Sequence, residues 1–268
     1  MIDPARTPLL SIIIPAYNEE SRLPESLEQV VQFVATQSYP IEVIVVNNNS
    51  RDRTGEIAEQ FAQQHPFARA LHEPRQGKGA AVRAGMLAAS GYYLMFCDAD
   101  FSMPVEEVSK FVPPHIDGYD VAIASREIPG SRRVGEPEYR HLMGRVFNLI
   151  VRLLAIPRIQ DTQCGFKAFR REVAQDVFAR QTIDGWGFDV EVLFIALRHG
   201  YALVEVPVTW YYKAQSRVSP IRDSVKMVLE ILKVRLNAWR GVYEQEPDTP
   251  GSPLRRAEQG EPNSGRDP

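Results

Sequence analysis

The chain has 268 residues, 44% hydrophobic and 24% charged, enough for one large core or at most two small ones. A net charge of -3 provides no global basic field and argues against nucleic acid as a partner. Two cysteines, Cys97 and Cys164, offer neither a disulfide framework nor a zinc spacing, which points to a reducing compartment.

The opening MIDPARTPLLSIII is broken by Pro4 and Pro8 and does not read as a secretion signal. Leu9 to Ile14 is a continuous apolar, β-branched run, as expected for a strand buried on both faces. After the polar loop Pro15 to Glu20, Leu23, Leu27, Val30, Val31 and Val34 recur at helical spacing, with Pro24 in the first turn. Glu42 to Val46 predicts a second strand, Asn47 to Asp52 a turn, and Thr54 to Gln64 a helix. Arg69 to His72 predicts a short strand, and Gly77 to Gly79 opens a further helix. Tyr92 to Cys97 and Val121 to Ala124 predict two more buried strands. Strands alternating with helices of this length predict an α/β fold with a mostly parallel sheet.

After Ser125 the character changes within what is expected to remain one domain, residues 1–243. Arg126 to Arg140 reads as a long loop, and His141 to Ile156 as a very apolar helix carrying Arg145 and Arg152. Val173 to Phe178 and Val190 to Arg198 predict helices, Val204 to Val208 a strand, and Ile221 to Trp239 a helix with Lys226, Lys233 and Arg235 beside its apolar stripe. From Glu244 the chain is rich in Pro and Gly and has no aromatic residue, so a disordered tail is expected. No apolar run approaches the ~18 residues needed to span a bilayer, so membrane contact is expected to be peripheral.

Asp98-Ala99-Asp100 directly follows a predicted parallel strand, and ligands of open α/β sheets bind at the carboxyl ends of strands. Two hard carboxylates suit Mg²⁺ or Mn²⁺ completed by substrate phosphates. The plainer alternative is that Asp100 caps the helix around Val105 to Phe111. Two other strands end in polar loops on the same expected edge, which brings Asn48 and Asp52 within reach of a base or ribose. The alternative there is capping by Ser50 or Asp52. Gly77-Lys78-Gly79 places a cation at a helix start where anions are favoured, or is an ordinary glycine turn. Asp161 and Lys167 flank a glycine bend, and Asp189 and Glu191 form a second acidic pair. As simple surface ion pairs these would be Asp161 with Lys167 and Glu191 with Arg198. Cys164 reads as a small packed residue.

Taken together, IIIPAYNEE, VVNNNSRD, GKGAAVRAG, CDADFS, IQDTQCGFKAF and GWGFDVEVL resemble the family 2 glycosyltransferases, which have the GT-A fold. The resemblance spans residues 8–240 and is nearest the polyprenyl-phosphate branch that includes the dolichyl-phosphate β-glucosyltransferases. It implies that Pro15, Tyr17, Glu19, Asn48 and Lys78 line a nucleotide-sugar pocket. It also implies that Asp98 and Asp100 hold the diphosphate through Mg²⁺ or Mn²⁺. Asn47 and Asn48 stand where the family usually has an Asp pair, which alters hydrogen-bond polarity at that point.

The acceptor decides the chemistry. A hydroxyl must lose a proton, and Asp161 or Asp189 is then the candidate base. A phosphate monoester is largely a dianion near pH 7, its second pKa being about 6, and needs a cationic cradle instead. Arg126, Arg132, Arg133, Arg140 and Lys167 are the candidates for that cradle. The apolar helices at about 140–158 and 221–240 fit a membrane interface, with core packing as the competing reading. The expected protein is an inverting hexosyltransferase at the cytoplasmic face of a membrane. UDP-glucose is favoured as donor and GDP-mannose comes next. A hydroxyl acceptor and a non-catalytic nucleotide-sugar-binding module are the alternatives.

Overall fold

The structure is a computed structural model and describes residues 7–213 and 220–245. Seven strands form one sheet in the order β3-β2-β1-β4-β7-β5-β8. The first four are β1 (Leu10–Ala16), β2 (Ile41–Asn47), β3 (Ala68–His72) and β4 (Tyr93–Phe96), all mutually parallel. They are joined by α1 (Leu23–Thr36), α2 (Thr54–Gln64) and α3 (Lys78–Ala88). β1 and β2 are mostly apolar because both faces are covered, and their buried polar pair, Ser11 and Glu42, is satisfied by a 2.6 Å hydrogen bond from the Ser11 hydroxyl to the Glu42 carboxylate. Ile12, Ile14, Val43 and Val45 pack with Leu27 and Val30 of α1 and Phe61 of α2, while Ile13, Ile44 and Val46 pack with Val82 and Met86 of α3.

A short 3-10 helix, Val105–Phe111, separates β4 from β5 (Val121–Ser125). Two strands that sequence reading assigned to the long loop or to no element follow. β6 (Arg132–Val134) breaks the predicted loop Arg126 to Arg140, and α4 (Glu138–Leu154) begins before it ends. β7 (Lys167–Arg170) inserts between β4 and β5 and is antiparallel to both, with Lys167 opposite Phe96 and Ile123. α5 (Arg171–Arg180), α6 (Phe188–Arg198) and β8 (Leu203–Pro207) come next, β8 being parallel to β5. β9 (Thr209–Tyr211) pairs with β6 as a small parallel ribbon.

The insertion of β7 positions the site. Because β7 runs against its neighbours, its entry loop, residues 161–166, lies on the same edge as the exits of β1, β2, β4 and β5. The last helix, α7 (Pro220–Trp239), buries Met227, Ile231, Val234 and Ala238 against the body. Of the expected tail, Glu244 and Gln245 are described and both make contacts with the body. Tyr243 is fully buried, Glu244 pairs with Arg198, and the Gln245 carbonyl accepts from Arg180. The remainder of the expected tail lies outside the described residues.

Candidate active site

At the exit of β4 the backbone turns sharply. Phe101 holds a left-handed φ of 42° with its ring buried, an unusual state for a bulky residue. The Phe101 amide donates to the Asp98 carbonyl and the Ser102 amide to Asp100 Oδ1 at 2.9 Å, so the turn holds the Asp100 carboxylate, and both carboxylates act on Lys78. Lys213 Nζ donates to the Asp100 carbonyl. The glycine of the β7 entry loop is required by Asp98. A Cβ on Gly165 would stand 1.9 Å from Asp98 Oδ2.

Lys78 Nζ lies 2.6 Å from Asp98 Oδ1, and 5.3 and 5.9 Å from the Trp186 and Phe188 ring centres. Burial disfavours its ammonium. The carboxylates of Asp98, Asp189 and Asp100 outweigh that and hold Lys78 above the usual lysine value. The flanking glycines serve a backbone neighbour. Gly77 has φ 144°, and a Cβ there would lie 2.1 Å from the Asp184 carbonyl oxygen. The Gly79 amide donates to that same carbonyl at 2.8 Å. The α3 start therefore docks on residues 183–184, and only the Lys78 side chain is turned to the acidic cleft.

The loops leaving β1 and β2 are stitched together. Asn18 takes the left-handed φ of 52°, its amide donates to Ser50 Oγ, and its Oδ1 accepts from the Arg51 amide. Asp52 accepts from the amides of Thr54 and Glu20, so it organises the start of α2. Glu19 is bridged to Arg22 by two 2.7 Å bonds. Tyr17 Oη accepts from Gln76 at 3.1 Å, and the residue remains partly exposed. Pro15 is opposite Val46 near the end of β1. Asn48 is buried and spans to the β3–α3 loop: Nδ2 donates to the Arg75 carbonyl at 2.6 Å, and Oδ1 accepts from Gly77 at 2.9 Å. Both ends of that amide hold the loop that carries Lys78. A carboxylate could not make the donor bond.

Asp161 is fully buried and bidentate to Arg126, at 2.7 and 2.9 Å, with a third bond from the Arg126 amide. Burial pushes its carboxyl up, and the Arg126 guanidinium overrides this and holds it below the ordinary carboxylate range. Asp189, in the first turn of α6, meets the fully buried Lys167, whose ammonium also donates to the Cys164 carbonyl at 2.8 Å. The sequence-based pairings are thus corrected. Lys167 binds Asp189 rather than Asp161. Glu191 serves Thr182, Ile183 and Tyr243 rather than Arg198. The Cys164 thiol is pushed up to about 12 by burial and is inert.

The expected phosphate cradle also changes. Lys167 is sealed from solvent, Arg126 is spent on Asp161 and stacks 5.4 Å from Trp210, and Arg133 lies 2.6 Å from both Glu127 and Glu136. Arg132 and Arg140 make no ion pair among the described residues, and Arg140 stands 5.3 Å from the Tyr212 ring. Trp186, Arg22 and Lys213 were missed by sequence reasoning. Trp186 lies inside GWGFDVEVL, and the glycines on either side of it are the signal that something approaches closely there.

Metal ligation fits a substrate-completed site. Among the described residues no group of three or more His, Cys, Asp or Glu could hold a metal alone. Asp98 and Asp100 supply two hard oxygens, and Mg²⁺ or Mn²⁺ takes its remaining ligands from water and phosphate.

α4 and α7 present apolar faces outward. On α4, Leu142, Val146, Leu149 and Leu153 are exposed, Leu153 at 77%, while Asn148 and Val151 face the body. On α7, Val225, Leu229, Leu232, Leu236 and Trp239 repeat at helical spacing and are exposed, Trp239 at 84%. Lys226, Lys233 and Arg240 follow the stripe at seven-residue intervals and make no ion pair among the described residues. No described helix is long and apolar enough to cross a membrane.

Residues 11–178 match the family model described as glycosyl transferase family 2. A dolichyl-phosphate beta-glucosyltransferase of Trichomonas vaginalis is 32% identical over 90% of this chain and 75% of its own. The enzyme of the same name from Drosophila melanogaster is 34% identical over 86% and 77%. Among solved structures, glucosyl-3-phosphoglycerate synthase from Mycobacterium tuberculosis, in complex with Mn²⁺, UDP and glucosyl-3-phosphoglycerate, superposes with a TM-score of 0.61. Its identity is 20%, covering 86% of this chain and 79% of that one.

Proposed function

The chain belongs to glycosyl transferase family 2 and has the GT-A fold, and on that premise we propose that it transfers glucose from UDP-glucose to a polyprenyl phosphate of the dolichyl type. The observation that carries this is the acidic cleft of Asp98, Asp100 and Lys78 lying on a body whose α4 and α7 leave apolar faces uncovered. A sugar-diphosphate site beside a lipid-compatible surface is what transfer to a lipid phosphate requires. The names of the relatives support both the acceptor class and glucose. GDP-mannose is the next donor to test.

The proposed catalytic unit is a single domain over residues 1–243, seated peripherally at the cytoplasmic face. The apolar stripes enter the headgroup boundary, and Lys226, Lys233, Arg240, Arg145 and Arg152 face anionic lipid. In the reaction, an oxygen of the acceptor phosphate forms a bond to the anomeric carbon while the bond to the nucleotide diphosphate breaks, inverting that carbon. Asp98 and Asp100 would hold a divalent cation, which would supply charge neutralisation for the departing diphosphate. Lys78, kept charged by its carboxylate neighbours, binds the same diphosphate from the other side. Tyr17 and the Asn48-held loop line the nucleotide, and Arg132 and Arg140 receive the acceptor phosphate. Asp161 is tied to Arg126 and Asp189 to Lys167, and on this reading neither serves as a base. An already ionised phosphate needs no proton taken.

The test is transfer of radiolabelled sugar from UDP-glucose and GDP-mannose to polyprenyl phosphate, with Mg²⁺ or Mn²⁺ and with chelator. Metal-dependent product that extracts into organic solvent is expected from UDP-glucose. Donor binding without lipid product overturns the acceptor assignment and returns attention to a hydroxyl acceptor.

A further inference from the structure

The uncovered face of α7 and the Lys78 cleft are joined by a short chain of side-chain and backbone contacts. Two residues on the inner edge of α7, seven apart, grip the segment between α5 and α6. Glu230 Oε2 accepts from the Gly187 amide at 2.6 Å, and Asn237 Nδ2 donates to Thr182 Oγ1 at 3.0 Å. The fit at Glu230 leaves no room for side chains. A Cβ on Gly185 would stand 2.1 Å from Glu230 Oε1, and one on Gly187 would stand 2.7 Å from both Glu230 Cβ and Oε2. Between those glycines is Trp186, whose ring faces Lys78.

The same segment holds the start of α3. The Asp184 carbonyl accepts from Gly79 at 2.8 Å, and Gln181 Nε2 donates to the Gly79 carbonyl at 2.9 Å. Glu191 ties the segment down from below, accepting from the Thr182 and Ile183 amides. The inner edge of α7 therefore touches the segment that fixes both the backbone and the ring partner of Lys78. The outer face of α7 is the one the proposed membrane reading places against lipid.

We propose that Glu230 and Asn237 are positioning residues for the donor site, coupling the seating of α7 on a membrane to the placement of Lys78. This rests on the reading of α7 as membrane-facing. The physical basis is that α7 is covered on one side only. Burying its outer stripe fixes the helix against the body, and the two inner-edge bonds carry that constraint to residues 182–187. A donor bound to a pre-ordered site pays less ordering cost, so lipid and nucleotide bind cooperatively.

The experiment uses the full chain and a readout without turnover: the affinity for UDP with Mn²⁺, by calorimetry, with and without phosphatidylcholine vesicles containing phosphatidylglycerol. GDP is run in parallel, and vesicle sedimentation is measured separately. Wild type is expected to bind UDP about five- to tenfold more tightly on vesicles. Glu230→Ala and Asn237→Ala are expected to sediment with vesicles as wild type does and to lose that gain. Glu230→Gln keeps an acceptor oxygen for Gly187 and should retain most of it. An unchanged gain in both alanine variants, or no gain in wild type that does sediment, overturns the coupling while sparing the membrane reading. Wild type that fails to sediment overturns both, and wild type that binds neither nucleotide overturns the donor site and the coupling with it.

Discussion

Lys78 Nζ and Asp98 Oδ1, 2.6 Å apart, join the α3 start to the exit of β4. Each is a group that a sugar diphosphate and its cation would engage, so donor binding exchanges this pair for contacts with ligand. Lys78→Met removes a charge-assisted bond of about 1.5–3 kcal/mol and is expected to raise the donor KM by about 10- to 100-fold. Lys78→Arg should recover only part of this, because a planar fork does not fit between Trp186 and Asp98 as an ammonium does. The native pKa is raised, so Lys78 remains charged past its ordinary ~10.4, and no alkaline loss below that pH should be traceable to it. A pH profile of kcat/KM checks this.

Gly165→Ala puts a methyl group 1.9 Å from Asp98 Oδ2, inside contact distance. Either Asp98 or the 161–166 loop must move. A shift near 1 Å at such a site costs about 100-fold in turnover. The expected result is a folded protein with weakened Mn²⁺-dependent UDP binding and strongly reduced transfer, measured by calorimetry and the radiolabel assay.

Asp161→Asn distinguishes a structural carboxylate from a base. Removing one partner of a buried ion pair leaves Arg126 uncompensated and costs about 3–5 kcal/mol of stability. A lower Tm is expected. Below that Tm, residual transfer should keep the wild-type pH profile, since no proton passes through Asp161. Loss of the acid limb in the variant contradicts this. The folded pKa is depressed, so the pair's contribution to wild-type stability is full above the unfolded value of ~3.9. It is lost as pH falls from there through the depressed native value. Acid unfolding of wild type followed by circular dichroism should show that window, and the variant should lack it.

Leu232→Glu and Trp239→Glu place carboxylates in the outer stripe of α7 without touching its buried row. Vesicle sedimentation should fall sharply. The fold should be unaffected, because Ile231 and Val234 still pack on the body. Binding unchanged in both variants removes α7 from the membrane reading.

The parallel half of the fold is legible because β1, β2 and β4 are predominantly apolar runs and α1 keeps a 3.6-residue period. β7 was not. Lys167-Ala-Phe-Arg170 is four residues long, begins with a buried cation and runs directly into α5, so no local signal separates it from the helix. β6 and β9 are three residues each and exist only through each other. At the site, Asp98 and Asp100 could be placed by their position after a buried strand. The partners of Asp161, Lys167 and Glu191 could not, because sequence offers only nearby opposite charges. The fold instead supplies Arg126, Asp189 and Tyr243 from distant elements. Asn48 reads as a ligand contact because its loop lies on the ligand edge; that its amide also holds the β3–α3 loop is visible only in the fold.

The antiparallel β7 also sets an order of events during synthesis. β4 and β5 leave the ribosome with the lane between them vacant, and neither can complete its pairing until Lys167–Arg170 arrives. Tyr93 waits for Arg170, and Val121 for Phe169. Such distant pairing slows folding and leaves strand edges exposed meanwhile. A nascent chain stalled before β7 should therefore be protease-sensitive and a client for chaperones, and protection should appear only after both β7 and β8, which closes the far edge of β5, have been released.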